Sequence, residues 1–256
     1  MLQALTKLNP GSALGALVRF PLRFVPRSLV ATVRGGINKG ARWIVGSSIH
    51  GCWLGTYEQE KQALVSELVR PGTVVWDVGA NAGFYALAFS RLVGTSGRVY
   101  AFEPFAENAN NLIRHVHLNG LSNTKVIQAA LASQSGLVGF SVAASNSMGR
   151  ILPEDTSYMV PAFAVDDFVT RFPDSLPQLI KIDVEGAEAA ILSGAAQLLS
   201  QFAPEILLAL HGEAQERECR EILVSQGYRL YYLDGSAVGA APLRSDEIYA
   251  RKPSAG

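Results

Sequence analysis

Acidic residues are missing from the first 57 positions of this chain, where Lys7, Arg19, Arg23, Arg27, Arg34, Lys39 and Arg42 carry all the charge. The whole sequence is formally neutral, with 22 basic and 22 acidic residues, so everything after Tyr57 is an acidic body. Such a body lacks the basic surface that broad nucleic-acid binding needs, and no nucleic-acid partner is expected. Cysteine is scarce as well. Cys52 and Cys219 lie far apart with no CxxC pattern, which suits two unpaired thiols in a reducing compartment better than a disulfide framework. Long apolar runs are also lacking, because arginine interrupts every such stretch of the arm well short of the ~18 residues of a membrane span. Nor is a secretory signal core visible. Together these absences point to a cytoplasmic protein.

Two readings of the basic arm stay open. It is either a solvated extension or a weak contact to an anionic membrane surface or acidic partner, since apolar residues alternate with arginine. Pro21 and Pro26 would interrupt any long amphipathic helix.

What is present suits one α/β domain: 256 residues, 48% of them apolar, enough to bury a substantial core. Residues 1–57 read as the basic extension and lead-in, and 58–256 as the domain. A helix is expected over 58–69, with Leu64, Leu68 and Val69 on one side. Short apolar, β-branched runs at 73–78, 98–103 and 125–128 read as buried parallel strands, separated by helices at 84–92 and 107–118. The alternation breaks over 131–165, read as an inserted hairpin or flap. Its strand-like pieces, 137–142 and 160–165, flank a polar loop at 145–149. Alternation resumes with strand 179–183, helix 187–200, strand 205–210 and helix 213–226, then closing strands at 229–233 and 247–251. Strand–helix repetition of this kind implies a doubly wound, mostly parallel sheet covered on both faces, a Rossmann-like architecture.

The sharpest local signal is Asp77-Val-Gly79-Ala-Asn81-Ala-Gly83, between the first strand of that sheet and the next helix. Glycines there let backbone approach a ligand closely, and a helix N-terminus presents free N–H groups. In open α/β sheets ligands sit beyond the carboxyl ends of the strands, where this loop falls. The following strand ends in Glu103, 24 residues after Gly79, where a carboxylate can accept both hydroxyls of a ribose. A dinucleotide site would use G-x-G-x-x-G, a spacing this loop lacks. Asp77 would repel a pyrophosphate yet suits a ligand bearing an ammonium and a sulfonium. The charge chemistry therefore favours S-adenosylmethionine over NAD.

These residues also carry a resemblance. Asp77-Val-Gly79-Ala-Asn81-Ala-Gly83-Phe-Tyr85, Ala-Phe-Glu103-Pro104 and Leu179-Ile-Lys181-Ile-Asp183-Val-Glu185-Gly186-Ala-Glu188 together resemble the FkbM-like family of class I methyltransferases. Leu54-Gly-Thr-Tyr57-Glu58 and Val165-Asp166-Asp167-Phe168 look like further segments of it, and the similarity runs over roughly 40–211. The resemblance implies a seven-stranded sheet and O-methylation of small-molecule or glycan-like acceptors. It implies that Asp77, Gly79 and Asn81 line the methionine end of the cofactor, that Glu103 holds the ribose, and that Ala129 and Ala130 lie near the adenine. In one respect the sequence departs from such enzymes. Ala209 stands where related proteins often carry a carboxylate that helps bind magnesium, a cation that needs oxygen-rich coordination. No metal site is assigned, and metal dependence is in doubt.

Methyl transfer from a sulfonium asks the protein to align the acceptor oxygen with the methyl group and to remove a proton. Asp183, at a strand's carboxyl end, is the first candidate to orient or deprotonate a hydroxyl. His211, where the next strand meets its loop, is the second, because neutral imidazole suits a base near neutral pH. Tyr57 and Glu58 are expected to close over the amino-acid end of the cofactor. Lys181 reads as a charge partner of Asp183 or as a plain polar strand residue. Glu185 and Glu188 read chiefly as first-turn acids favouring a helix dipole. Asp166 and Asp167 read as caps of a short helix. His115 and His117, two apart on a helix, do not share a face and make no metal pair. Two other classes stay open, a catalytically silent cofactor-binding module and an NAD-dependent oxidoreductase.

Overall fold

The computed structural model describes residues 22, 24–142, 149–152 and 158–253. Most of the arm on which a membrane-surface contact would rest, and the 145–148 part of the polar loop, lie outside the described residues.

The central strand β3 (Val74–Val78) lies between β4 (Arg98–Phe102) and β10 (Leu179–Ile182), to which it runs parallel. Pleating sends Trp76 and Val78 to one face and Val75 to the other, and both faces are covered, which is why the run is apolar but for Asp77. The full sheet adds β5 (Thr124–Ile127), β11 (Glu205–Ala209), β12 (Arg229–Tyr232) and β13 (Glu247–Arg251), in the order β12-β13-β11-β10-β3-β4-β5. β13 runs antiparallel to both of its neighbours.

On the Trp76 face pack α5 (Val165–Arg171), α6 (Glu188–Ser193), α7 (Ala196–Gln201) and α8 (Glu213–Ser225). The opposite face holds α2 (Gln59–Leu68) and α3 (Phe84–Val93), with α4 (Ala106–Leu118) at its side. The buried indole of Trp76 donates to Ser175 O at 2.7 Å, so its polar edge is satisfied inside the core. The single helix expected over 187–200 is two, broken at Gly194, where a Cβ would stand 2.3 Å from Ala132 O. Asp166 and Asp167 do not cap their own helix α5. Asp166 instead accepts the Gln197 and Leu198 N–H groups that open α7, and Asp167 accepts the Ser135 hydroxyl.

The insert is a second, four-stranded sheet, β6-β9-β7-β8. It comprises β6 (Ala130–Ala132), β7 (Gly136–Val142), β8 (Gly149–Leu152) and β9 (Met159–Ala164), with β6 parallel to β9 and the other pairs antiparallel. The lead-in is built into the domain from Val30 onward. The hairpin β1 (Val30–Thr32) and β2 (Arg42–Ile44) is followed by α1 (His50–Leu54), burying Val33, Trp43, Val45 and Cys52. Trp43 stacks on the His115 imidazole of α4 at 3.9 Å between centroids. That imidazole accepts the Ile44 N–H at 2.9 Å through Nε2, and its Nδ1–H donates to Ala82 O at 2.7 Å. Among the described residues no helix is long and apolar enough to cross a membrane.

Candidate active site

Loops at the carboxyl ends of β3, β4, β10 and β11 enclose an open cleft of about 430 Å³. Its floor is the glycine turn. Gly79 sits at φ +74°, and a Cβ there would stand 2.0 Å from Asp183 O, so only glycine fits. The Gly79 and Ala80 N–H groups both donate to Phe102 O at 3.0 Å, which pins the turn against β4. Asn81 holds φ +49°, and its Oδ1 accepts the Ala82 N–H at 2.6 Å, a local bond that makes the left-handed conformation tolerable.

Glu103 is buried at the end of β4 and lines the cleft. Its Oε2 accepts the Asn81 N–H at 2.8 Å and its Oε1 the Phe105 N–H at 2.9 Å. Each oxygen thus retains accepting capacity for a ligand. Burial pushes its carboxyl up to about 7, with the two backbone bonds opposing the rise. Ala129 and Ala130 line the adjoining wall beside Phe140 of the insert, and Tyr57 and Glu58 line another. Two anticipated residues are not on the wall. Gly83, at φ +95°, opens α3 against Leu112, and Asp77 is fully buried behind the turn.

Asp77 belongs to an ionic cluster that runs behind the cleft. Lys181, on β10 directly beside it in register, places Nζ 3.2 Å from Asp77 Oδ1 and 3.5 Å from Asp183 Oδ2. Lys61 of α2, 4% exposed, reaches Glu58 at 2.8 Å, Glu247 of β13, and Asp183 at 3.8 Å. Tyr85 donates its hydroxyl to Glu58 at 2.8 Å. Burial alone would raise Asp183, but the ammonium groups of Lys181 and Lys61 hold its carboxyl below the usual range. Burial pushes Asp77 up, opposed by Lys181. Burial disfavours both ammonium groups too, yet the surrounding carboxylates hold Lys61 and Lys181 charged.

His211 follows β11, the neighbour of β10, and meets Asp183 at the cleft. Its Nδ1 lies 2.6 Å from Oε1 of Glu188, a fully buried residue, and its Nε2 lies 3.7 Å from Glu185 Oε2 and 4.0 Å from Asp183 Oδ1. The Glu188 hydrogen bond raises the imidazole above its ordinary value, against partial burial. With Nδ1–H held by a carboxylate, neutral His211 presents Nε2 as its free basic nitrogen.

The structure thus brings Asp183, His211, Glu58 and Glu103 onto one cleft and sets Asp77 behind it. Glu188, read from the sequence chiefly as a first-turn acid, also orients the histidine, and Lys61 and Glu247, which sequence spacing does not single out, lock the cluster. Among the described residues no group of three His, Cys, Asp or Glu is arranged to hold a metal ion.

A sheet with one antiparallel strand, a glycine turn after its central strand and an acid closing the next is the class I methyltransferase architecture. Residues 77–230 match the methyltransferase FkbM domain, and the chain belongs to that family. It is 27% identical over 168 residues to the hexuronic acid methyltransferase AglP of Haloferax volcanii, an alignment covering 65% of this chain and 67% of that protein. It is 31% identical over 163 residues to the 31-O-demethyl-FK506 methyltransferase FkbM of Streptomyces tacrolimicus, covering 49% of this chain and 60% of that one. A crystal structure of a methyltransferase FkbM from Methylobacillus flagellatus KT superposes with a TM-score of 0.50 at 18% identity. That match covers 79% of this chain and 53% of the other, so the chain spans about half the length of that solved relative.

Proposed function

We propose that this chain is an S-adenosylmethionine-dependent O-methyltransferase that modifies a hydroxyl of a small-molecule or glycan-like acceptor, with His211 as general base. The observation that carries this reading is the histidine clamp. Nδ1 is held at 2.6 Å by buried Glu188, while Nε2 is left beside Asp183 on the cleft wall. The two relatives support the acceptor class, one named for a hexuronic acid and the other for an O-demethylated small molecule.

The cleft fits the cofactor. A Cβ at Gly79 would fill the turn, and Glu103 keeps lone pairs for ribose hydroxyls beyond the two backbone groups it already accepts. Asn81 and Gly79 would flank the methionine portion, with Ala129 and Ala130 beside the base. Glu58 and Asp183 offer carboxylate to an ammonium, and Tyr57 closes that end. When bound, the cofactor supplies an electrophilic methyl on a sulfonium. The chain's own residues do the rest. His211 accepts the hydroxyl proton at Nε2, Glu188 stabilises the resulting imidazolium through Nδ1–H, and Asp183 orients the hydroxyl.

The test pairs cofactor calorimetry with turnover on a panel of hydroxylated sugars and small molecules. His211→Ala and Asp183→Asn should each keep cofactor affinity, and at least one should lower turnover by about 10²-fold or more. Normal methylation by both variants would overturn the assignment of the base.

A further inference from the structure

We propose that the lead-in docks this protein on an anionic lipid membrane, with the rim of the cleft turned toward the bilayer. Nothing in the proposal depends on the chemistry inside the cleft. Residues 24–57 carry Arg27, Arg34, Lys39 and Arg42 and no acid, and Lys7, Arg19 and Arg23 precede them. Those first four cations are all exposed. Among the described residues the arginine ion pairs are those of Arg98, Arg220 and Arg244, and the lysine ones are those of Lys61 and Lys181. The lead-in thus presents positive charge that no carboxylate of the acidic body neutralises by direct contact.

Apolar side chains stand exposed among these cations, which a merely solvated basic extension does not need. Leu29 is 46% exposed and Ile49 53%. Backbone bonds tie them into one strip. Val45 N–H donates to Leu29 O at 2.9 Å and Gly46 N–H to Arg27 O at 2.7 Å, and Ile49, three residues after Gly46, directly precedes α1. Trp53 lies one helical turn on, on the same side of α1 as Ile49. Its half-buried indole donates to His50 Nδ1 at 3.0 Å, and its carbonyl accepts the Arg34 N–H at 3.1 Å. Guanidinium groups, exposed aliphatic groups and a half-buried indole in one strip match the headgroup layer of an anionic membrane. The cations meet lipid phosphate while the apolar groups enter the acyl boundary. A soluble polyanion would answer the charges and leave Leu29 and Ile49 in water. Ser48, Ile49 and Cys52 also line the cleft, so a membrane covering Ile49 lies at the rim of the cleft.

The experiment sediments the full chain with phosphatidylcholine vesicles prepared with and without phosphatidylglycerol. Binding should require phosphatidylglycerol and weaken as salt is added. Arg27→Gln combined with Arg34→Gln should weaken it about 30-fold, the effect of removing two cations from such a surface. Leu29→Ser combined with Ile49→Ser should weaken it about 10-fold through lost apolar burial. Circular dichroism checks that both double variants are folded. Cys52 and Cys219 are buried, so an environment-sensitive fluorophore can be placed on Ile49→Cys. Its emission should shift to the blue on the anionic vesicles. The same label on Val224→Cys, exposed on α8 across the sheet, should not shift. No binding, equal binding to both kinds of vesicle, or binding to a soluble polyanion but not to vesicles overturns the proposal. So does vesicle binding that neither double variant weakens and that leaves the label at position 49 unmoved, which would place the contact on the preceding arm alone. Methylation is not read, so failure of the proposed reaction leaves this result standing.

Discussion

Acid should weaken this fold through His115, by an amount that follows from its two hydrogen bonds. The imidazole is fully buried, with Nε2 accepting from Ile44 and Nδ1–H donating to Ala82. A second proton would set one N–H against another in a fully buried site. Burial accordingly pushes the group from 6.5 down to about 4. An unfolded chain takes up this proton near pH 6.5 and the folded one only near 4, so the stabilisation is complete above the first value and lost through that window. A difference of about 2.5 pH units corresponds to ~3 kcal/mol. Glu103 acts in the opposite sense. Its carboxyl is raised from 4.5 to about 7, so the folded protein is protonated first and gains stability as pH falls between those values. Acid unfolding of the native protein alone would mix the two. The informative quantity is the difference between it and His115→Gln in urea unfolding at several pH values. The variant should be the less stable near neutrality, and the gap should close by ~3 kcal/mol toward pH 4. A gap that stays constant over that range would refute the account. Because Ala82 belongs to the glycine turn, cofactor affinity should fall over the same window.

Glu103→Ala should weaken S-adenosylmethionine binding by about 1–3 kcal/mol in calorimetry, the scale of a charged hydrogen bond. In the native protein affinity should rise with pH through about 7, as that carboxyl ionises. Glu188→Gln removes the charge that raises His211, so the rising limb of the rate–pH profile should move to lower pH while the plateau rate drops; an unmoved limb would separate Glu188 from the base. Lys61→Met leaves Glu58, Glu247 and Asp183 facing one another and should cost about 3–5 kcal/mol, read by chemical unfolding. That loss should ease as pH falls and the carboxyls protonate. Turnover should survive EDTA, and its loss with recovery on adding magnesium would show that the cleft carboxylates gather a metal ion after all.

The main sheet was legible because its central strands are buried on both faces and read as mostly apolar runs. Thr73 to Val78 needed trimming by only one residue, to Val74–Val78. β6 was not legible, since Ala130–Ala132 has no strand character of its own and becomes a strand by pairing with β9. The break at Gly194 has the same cause, being set by the approach of Ala132. In α2 the expected apolar side of Leu64, Leu68 and Val69 is only part of what faces inward. Lys61 and Gln62 are buried as well, because their polar ends find carboxylate, backbone and amide partners that no local pattern announces. The glycine turn and Glu103 could be read from the chain because their chemistry is local to two consecutive strand ends. The Glu188 clamp on His211 joins two strand–helix units, and only the packing of α6 beneath β11's loop brings its atoms together.

Ala209 shows how the missing acid on β11 is answered. In the antiparallel register of β11 and β13, Ala209 pairs with Glu247. A carboxylate is therefore present at this level of the sheet, carried by the neighbouring strand. Its partner is the ammonium of Lys61, which also touches Glu58 and lies 3.8 Å from Asp183. The cation that gathers these carboxylates is thus a side chain of the protein itself. An ammonium on a helix cannot be lost to a chelator, and it ties the ionisation of Asp183 to the seating of α2 against β13. Burying such a cluster is costly in desolvation, and it is retained where a fixed geometry is needed. Here that geometry holds Asp183 ionised and aimed past His211 into the cleft. The small side chain of Ala209 leaves that wall open beside His211, with no acid of β11 lining the cleft there.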